Sequence, residues 1–112
     1  MEPDRFLPLQ EATLLILLAL AEMPRHGYAI LKEVEALSQG RVLFSTGTLY
    51  GALARLLDQG LVERLDGDTG MTTRGRKTYR LTSLGRGVLV AETARLEQLS
   101  RAARLRLAGG SA

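Results

Sequence analysis

The sequence lacks several residue types, and each absence excludes a class of protein. It contains no cysteine, no tryptophan and one histidine, and only 4% of its residues are aromatic. Without cysteine there is no disulfide framework, thiolate metal site or thiol nucleophile, and His26 alone makes no metal site. We therefore expect neither a metal nor a cofactor.

Long apolar runs are also missing. The longest, residues 12–21, ends at Glu22, well short of the ~20 residues that a membrane-spanning helix needs. The acidic start, MEPDRF, is unlike a secretory signal, so we expect a cytoplasmic protein with no membrane contact. No Gly-rich phosphate loop follows a strand and no carboxylates cluster in a predicted pocket, which makes an enzyme the weakest hypothesis.

The charge is small overall but unevenly placed along the 112 residues. Residues 1–40 carry three basic and six acidic side chains, residues 41–80 seven and four, and residues 81–112 five and two, so the net charges are −3, +3 and +3. A chain of this length forms one domain. Its basic middle indicates a localised contact with a polyanion, unless one solvated basic loop accounts for the excess.

The first predicted helix follows Pro8 and is apolar on two faces. One face has Leu9, Thr13, Ile16, Leu17 and Leu20, and the other has Leu14, Leu15 and Leu18. Met23 and Pro24 end the helix. A helix that is apolar on two sides has to be buried twice, and in so short a chain another subunit most readily supplies the second burial.

The middle of the chain predicts two more helices and a brief strand. The segment HGYAILKEVEALSQG gives a second helix that Gly40 closes, and RVLF, residues 41–44, is long enough only for a short strand. A third helix should begin near Ser45 or Thr46 and run to Asp58 or Gln59, with Gly60 as its stop.

The rest of the chain predicts a hairpin and a long helix. LVERL and KTYRL alternate apolar and polar residues on either side of a Gly- and Asp-rich loop. Helical spacing then runs from Ser83 to Ala108 with a near-heptad period, which indicates a partner chain. The predicted fold is a winged helix-turn-helix, mainly α with a small β-hairpin: a DNA-binding domain over 1–82, a dimerisation helix over 83–108 and a flexible tail over 109–112.

The third helix opens with STGTLY, residues that favour caps and turns. Ser45 is a natural N-cap, and the amide groups of the next turn would suit a phosphate. Thr46 and Thr48 add hydroxyl donors, and Gly47 lets the backbone come close. Capping alone is the alternative, but it does not explain a glycine in the first turn, which costs roughly 0.5–1 kcal/mol relative to alanine.

The outward face of this helix is expected to carry few long side chains. A helical wheel centred on Leu49 directs Thr48, Gly51, Ala52, Arg55 and Gln59 away from the core. Thr48 would meet a base edge or a thymine methyl group. Arg55 would either contact guanine or remain an ordinary exposed arginine, and the sequence leaves both open.

The hairpin loop contains three cations, Arg74, Arg76 and Lys77. Cations on such a loop suit a phosphate backbone or a minor groove. Asp66 and Asp68 lie on the same loop and oppose this interpretation.

Three segments together resemble the PadR family of bacterial winged-helix transcriptional regulators. They are LLILLALAEMPRHGYAILKEVE, STGTLYGALARLLDQGLVE and GRKTYRLTSLGRGVL, which cover roughly residues 14–89. The resemblance implies that GTLY opens the recognition helix, so that Ser45, Thr46, Thr48 and Tyr50 are its helix-end and groove contacts. The residue pattern itself adds Gly47 and Arg55 to the predicted DNA contacts. The resemblance also implies that Arg74, Arg76 and Lys77 form the wing. On the helical wheel Tyr50 lies about 100° from the core centre, so we expect it to be half packed with its hydroxyl on a phosphate.

The resemblance further implies a homodimer in which the last helix packs on the first helix of its partner. The residues expected in that interface are Leu9, Thr13, Ile16, Leu17, Leu89, Leu96, Leu99 and Ala103. Many members of the family have proline where this chain has Gly51. Some bind flat aromatic compounds through a tryptophan of the last helix, a mode that a chain without tryptophan does not offer.

The sequence thus predicts a homodimeric repressor that binds a pseudo-palindromic operator in double-stranded DNA. The alternative is a winged-helix module for protein interaction or small-molecule sensing that has lost specific DNA binding. Either hypothesis allows a small-molecule effector. The first helix and Leu96 and Leu99 of the partner subunit would enclose an apolar pocket or simply pack together, and leucine at this spacing favours packing.

Overall fold

A computed structural model describes residues 2–65 and 77–109. Within these ranges, four α helices and three short strands follow a 3₁₀ helix, Pro3–Phe6. They are α1 (Glu11–Ala19), β1 (Arg25–His26), α2 (Gly27–Leu37), α3 (Thr46–Asp58), β2 (Val62–Arg64), β3 (Thr78–Leu81) and α4 (Ser83–Gly109). The order confirms the predicted winged helix-turn-helix, mainly α with a small sheet and a long last helix.

Helix α1 is shorter than the apolar pattern predicted. Leu9 lies before the helix, and the helix ends at Ala19 rather than near Met23. The side chain of Arg25 donates a hydrogen bond from Nε to the carbonyl oxygen of Ala19 at 2.7 Å. This bond satisfies a carbonyl that the end of a helix leaves without an intrahelical partner, and it directs the chain into β1.

The three described strands form an antiparallel sheet in the order β1-β3-β2, with Arg25 opposite Tyr79 and Glu63 opposite Arg80. The prediction of a brief strand over residues 41–44 was wrong. The edge of β3 is already occupied by β1, and the amide of Val42 donates to Ser38 Oγ at 3.0 Å. Residues 41–44 are therefore held as a loop against the end of α2.

The core lies where the helices meet the sheet, and the apolar spacing of the sequence accounts for it. The fully buried side chains include Ile16, Leu17, Ile30, Leu49, Leu53 and Val88. Burying each such side chain stabilises the fold by about 1.5–3 kcal/mol. The inward face of α3 is thereby fixed against α2 and β2, which determines the face it presents to solvent.

The junction between α3, β2 and α4 is tightly packed. Thr82 Oγ1 accepts from the amide of Gly85 at 3.0 Å and donates to the carbonyl of Gly60 at 2.6 Å. A Cβ atom on Gly85 would lie 2.0 Å from the carbonyl oxygen of Leu61. Only glycine allows this approach, so the start of α4 is fixed directly to the turn that ends α3.

A buried carboxylate attaches the N-terminal segment to α4. Glu92 Oε2 accepts a hydrogen bond from the amide of Leu9 at 3.0 Å, and Arg95 donates to both carboxylate oxygens at 2.6 and 2.8 Å. The hydrogen bonds from Arg95, supported by that from Leu9, hold the pKa of Glu92 below its usual value against the opposing effect of burial. Glu92 therefore stays ionised in the folded protein and keeps residues before α1 on α4.

Candidate nucleic-acid interface

Helix α3 begins as its sequence predicted. Ser45 is the N-cap: its Oγ accepts a hydrogen bond from the amide of Thr48 at 3.0 Å and donates one to Thr48 Oγ1 at 3.0 Å. The capping interpretation of Ser45 is therefore confirmed. The amides of Thr46 and Gly47 have no intrahelical acceptor, because they belong to the first turn, and both residues are exposed.

From Gly47 to Ala54 the exposed face of α3 is a strip almost without side chains, and it ends at the exposed Asp58. Gly47, Gly51 and Ala54 lie along its centre, between Tyr50 on one flank and Arg55 on the other. A Cβ atom on Gly51 would have no neighbour within 4 Å, and one on Gly47 would meet only Ser45 Oγ at 4.0 Å. Internal packing therefore does not require either glycine.

Ala54 belongs to this strip but was not predicted from the sequence, and Ala52 was predicted on the wrong face. Ala52 is only 5% exposed. It lines, with Pro8 and Leu9, a cavity of about 240 Å³ between α3 and the N-terminal segment. Ala52 follows Leu49 by three residues, a rotation of about 300°, which is only about 60° short of a full turn. It therefore lies beside Leu49, on the flank of the core side. The N-terminal segment then covers that flank.

Arg55 borders the same cavity, although it is exposed as predicted. It makes no hydrogen bond or ion pair within the described residues. Its guanidinium group is thus available to an external acceptor.

Tyr50 is half packed, as expected, with 44% of its surface exposed. Its side chain lies against the start of α2, where a Cβ atom on Gly27 would be 2.2 Å from the hydroxyl oxygen. The glycine of the HGY motif thus has a structural explanation that its sequence position did not reveal: it leaves room for the tyrosine of α3.

The predicted wing is described only in part. Arg74 and Arg76 lie outside the described residues, and Lys77 is exposed immediately before β3. Across the sheet, Arg80 Nε donates to Glu63 Oε2 at 2.7 Å. Arg80 and Glu63 therefore neutralise each other, whereas Lys77 makes no ion pair within the described part of the chain.

The residues predicted for a dimer interface fall into two groups. Ile16, Leu17 and Leu89 are buried in the core of the single chain, and Leu9 and Thr13 are half-buried. Leu96, Leu99 and Ala103 lie on the α4 surface, where Leu96 and Leu99 are exposed. Because the chain itself buries Ile16 and Leu17, the surface open to a partner lies instead at Leu18, Val90, Leu96 and Leu99, which are all exposed.

Two other kinds of site are missing from the described ranges. Residues 2–65 and 77–109 contain no group of three His, Asp or Glu side chains that could hold a metal ion. None of the helices described there combines the length and hydrophobicity needed to cross a bilayer.

The fold and the exposed α3 face define a winged helix-turn-helix protein. The family model described as the transcriptional regulator PadR-like family matches residues 16–91. The chain therefore belongs to the PadR-like family of transcriptional regulators, and the family resemblance seen in the sequence is confirmed.

Individual relatives agree with this assignment. The chain is 41% identical over 91 residues to a 37.1 kDa protein of transposon TN4556 from Streptomyces fradiae, covering 80% of this chain and 24% of that protein. It thus spans about a quarter of the length of that relative. Among solved structures, it is similar to a PadR-like transcription factor from Bacteroides fragilis, with 27% identity, a TM-score of 0.68 and coverage of 83% and 86%. A PadR family transcription regulator from Clostridium difficile shares the fold at 23% identity, with a TM-score of 0.72 and coverage of 88% and 99%.

Proposed function

We propose that this PadR-family regulator is a homodimeric repressor that binds a pseudo-palindromic operator through α3 and the wing. The observation that carries the proposal is the exposed strip of Gly47, Gly51 and Ala54 on α3. Each glycine weakens a helix by roughly 0.5–1 kcal/mol relative to alanine. Since packing within the chain requires neither glycine, their small size serves an external surface that has to come close, such as the floor of a major groove.

The residues around the strip have the chemistry that DNA needs. At one end, Thr46 and Thr48 present hydroxyl groups beside free first-turn amides, which suit a phosphate oxygen. On the flanks, Tyr50 offers a hydroxyl donor and Arg55 a guanidinium group that suits guanine and has no partner among the described residues. Arg74, Arg76 and Lys77 would add phosphate contacts from the wing. With so few long side chains on α3, DNA shape supplies part of the specificity.

The homodimer is supported by the second half of α4. This helix has 27 residues, about 40 Å at 1.5 Å per residue. After Glu92 its apolar residues Leu96, Leu99, Leu105 and Leu107 are all exposed. Helices in proteins gain most of their stability from tertiary packing of an apolar face, so a partner α4 and α1 would cover these leucines. The open apolar depression at Leu18, Leu89 and Val90 is then filled by packing rather than kept as an effector pocket.

A two-fold dimer would place two α3 helices in successive major grooves, with half-sites about 34–36 Å apart. Occupation of a promoter by such a dimer blocks transcription sterically, which makes repression the expected outcome. A regulator that acts on chromosomal DNA works in the bacterial cytoplasm.

A gel-shift titration tests the proposal with the protein's own upstream DNA and a random duplex of equal length. We expect at least a thousandfold preference for the upstream fragment, at the lower end of the range for specific regulators. The affinity should also fall steeply as salt rises. Alanine at Arg74, Arg76 and Lys77 together should weaken binding to both duplexes. Equal affinity of the wild-type protein for both duplexes would contradict a specific repressor and favour the interaction-module alternative.

A further inference from the structure

The exposed residues at the start of α2 form a surface that the proposed α3 and wing contacts leave unused. Tyr28 is the second residue of α2, and 66% of its surface is exposed. Its hydroxyl makes no hydrogen bond within the described residues. One turn later, the Nζ atom of Lys32 lies 5.6 Å from the centroid of the Tyr28 ring. This distance is within the range of a cation–π contact.

This pair lies beside the start of α3. Tyr28 and Lys32 line a shallow groove together with Leu43 and Phe44, and Phe44 directly precedes Ser45, the N-cap of α3. The Tyr28 and Lys32 pair and the first turn of α3 are therefore neighbours on the protein surface.

The charges along α2 indicate which part of this surface meets an anion. Lys32 makes no ion pair within the described ranges, whereas Glu33 is paired with Arg25 at 3.8 Å. Glu35 is exposed beside the same shallow groove, with Leu43 and Phe44. An anionic occupant is therefore favoured at the Tyr28 and Lys32 end and repelled at the Glu35 end.

We propose that Tyr28 and Lys32 together hold one phosphate of the operator backbone just outside the groove that α3 enters. In helix-turn-helix proteins the first helix of the motif crosses the backbone while the second lies in the groove. The ring of Tyr28 keeps the ammonium group of Lys32 beside it, and we assign the ammonium group and the Tyr28 hydroxyl to the same phosphate. The contact sets the position of the dimer on the duplex without reading base sequence.

This inference rests on the proposed DNA-binding function and deepens it. Lys32→Gln removes one phosphate contact in each half-site of the dimer. It should lower affinity about fivefold to tenfold per half-site at 0.1 M salt and reduce the slope of log affinity against log salt by about 1.8, which is about 0.9 for each half-site. Tyr28→Phe keeps the ring and loses the hydroxyl, and should weaken binding about twofold to tenfold. Both losses should be equal on the upstream fragment and on a random duplex.

The matched control is Arg106→Gln, which makes the same charge change near the far end of α4. Sedimentation and thermal unfolding of each variant establish that fold and assembly are unchanged. A second measurement replaces backbone phosphates one at a time with uncharged methylphosphonates. The flanking position that Tyr28 and Lys32 contact in each half-site should weaken the wild-type complex clearly more than the Lys32→Gln complex, which retains only the Tyr28 contact.

The outcomes separate the two proposals. If Lys32→Gln and Tyr28→Phe bind like Arg106→Gln while the triple wing variant is weakened, the phosphate contact is overturned and the repressor proposal stands. If the wild-type protein binds random and upstream DNA equally, the repressor proposal fails, and the random-duplex titration still decides the role of Lys32. A wild-type protein that binds neither duplex contradicts both proposals.

Discussion

Gly27 of α2 and Tyr50 of α3 lie so close that a Cβ atom on the glycine would be 2.2 Å from the tyrosine hydroxyl oxygen. The contact joins the start of the first helix of the motif to the flank of the second. The position of Tyr50 on the proposed DNA surface is therefore set by the absence of a side chain at residue 27.

Gly27→Ala should displace Tyr50 and weaken DNA binding. The coupling should be visible in a double-mutant cycle with Tyr50→Ala. We expect Gly27→Ala to be destabilising in the wild-type background and nearly neutral in the Tyr50→Ala background, with a coupling energy of about 0.5–3 kcal/mol. Urea unfolding of the four proteins measures it. Additive effects would show that the two residues do not constrain each other.

Gly51→Ala should change stability and function in opposite directions. The added methyl group meets no atom within 4 Å, so the helix should gain roughly 0.5–1 kcal/mol from the loss of glycine. The same methyl group projects from the centre of the α3 strip and should weaken operator binding. Gly87→Ala is the control: its Cβ meets Pro3 at an ordinary 3.5 Å, it lies on α4, and it should leave DNA affinity unchanged. Unaltered DNA affinity of Gly51→Ala would argue against close approach of the strip to a groove.

Glu92→Gln should destabilise the protein in a way that depends on pH. The folded-state pKa of Glu92 lies below its usual value of 4.5. The stability from its ionised form is therefore fully present above about pH 4.5 and is lost as pH falls through the lower folded-state pKa. At neutral pH we expect a loss of about 1–3 kcal/mol, because the hydrogen bonds to a buried charged acceptor are weakened. Chemical unfolding at several pH values should show the two proteins converging in acid. A difference that does not change with pH would contradict this role.

Leu99→Asp should separate the proposed dimer. Leu99 is 48% exposed on the half of α4 that leaves the body of the domain, and an aspartate there would have to lose its hydration in a packed interface. Sedimentation equilibrium should change from dimer to monomer, and the far half of α4 should lose helicity. Leu43→Asp, at an exposed loop position, makes the same chemical change and should leave the assembly intact. A wild-type protein that sediments as a monomer would contradict the dimer directly.

The third helix illustrates how much of the site could be predicted. Its cap at Ser45, its start at Thr46 and its end before Gly60 follow from local chemistry, since N-caps and glycine stops act within one turn. The burial of Ala52 could not be predicted. It depends on the N-terminal segment, which Glu92 holds to α4 from 83 residues further along the chain.

The strands likewise include some that the sequence predicted and one that it did not. The alternating runs around residues 62–64 and 78–81 predicted the hairpin, because alternation places one face on the core. Strand β1 at Arg25–His26 was missed, because two residues carry no periodicity. Strand β1 forms because residues 25–26 pass along the edge of β3 that β2 does not cover.

By itself, the sequence determined the winged helix-turn-helix order and the PadR family motifs, since apolar period, caps and glycine stops are local and short-ranged. The tertiary structure alone decided which small residues serve packing and which serve a surface. Gly27 and Gly85 are required by close contacts with Tyr50 and Leu61, while Gly47 and Gly51 face open space. In the sequence these glycines look the same, because the atoms that approach a glycine come from parts of the chain that only folding brings together.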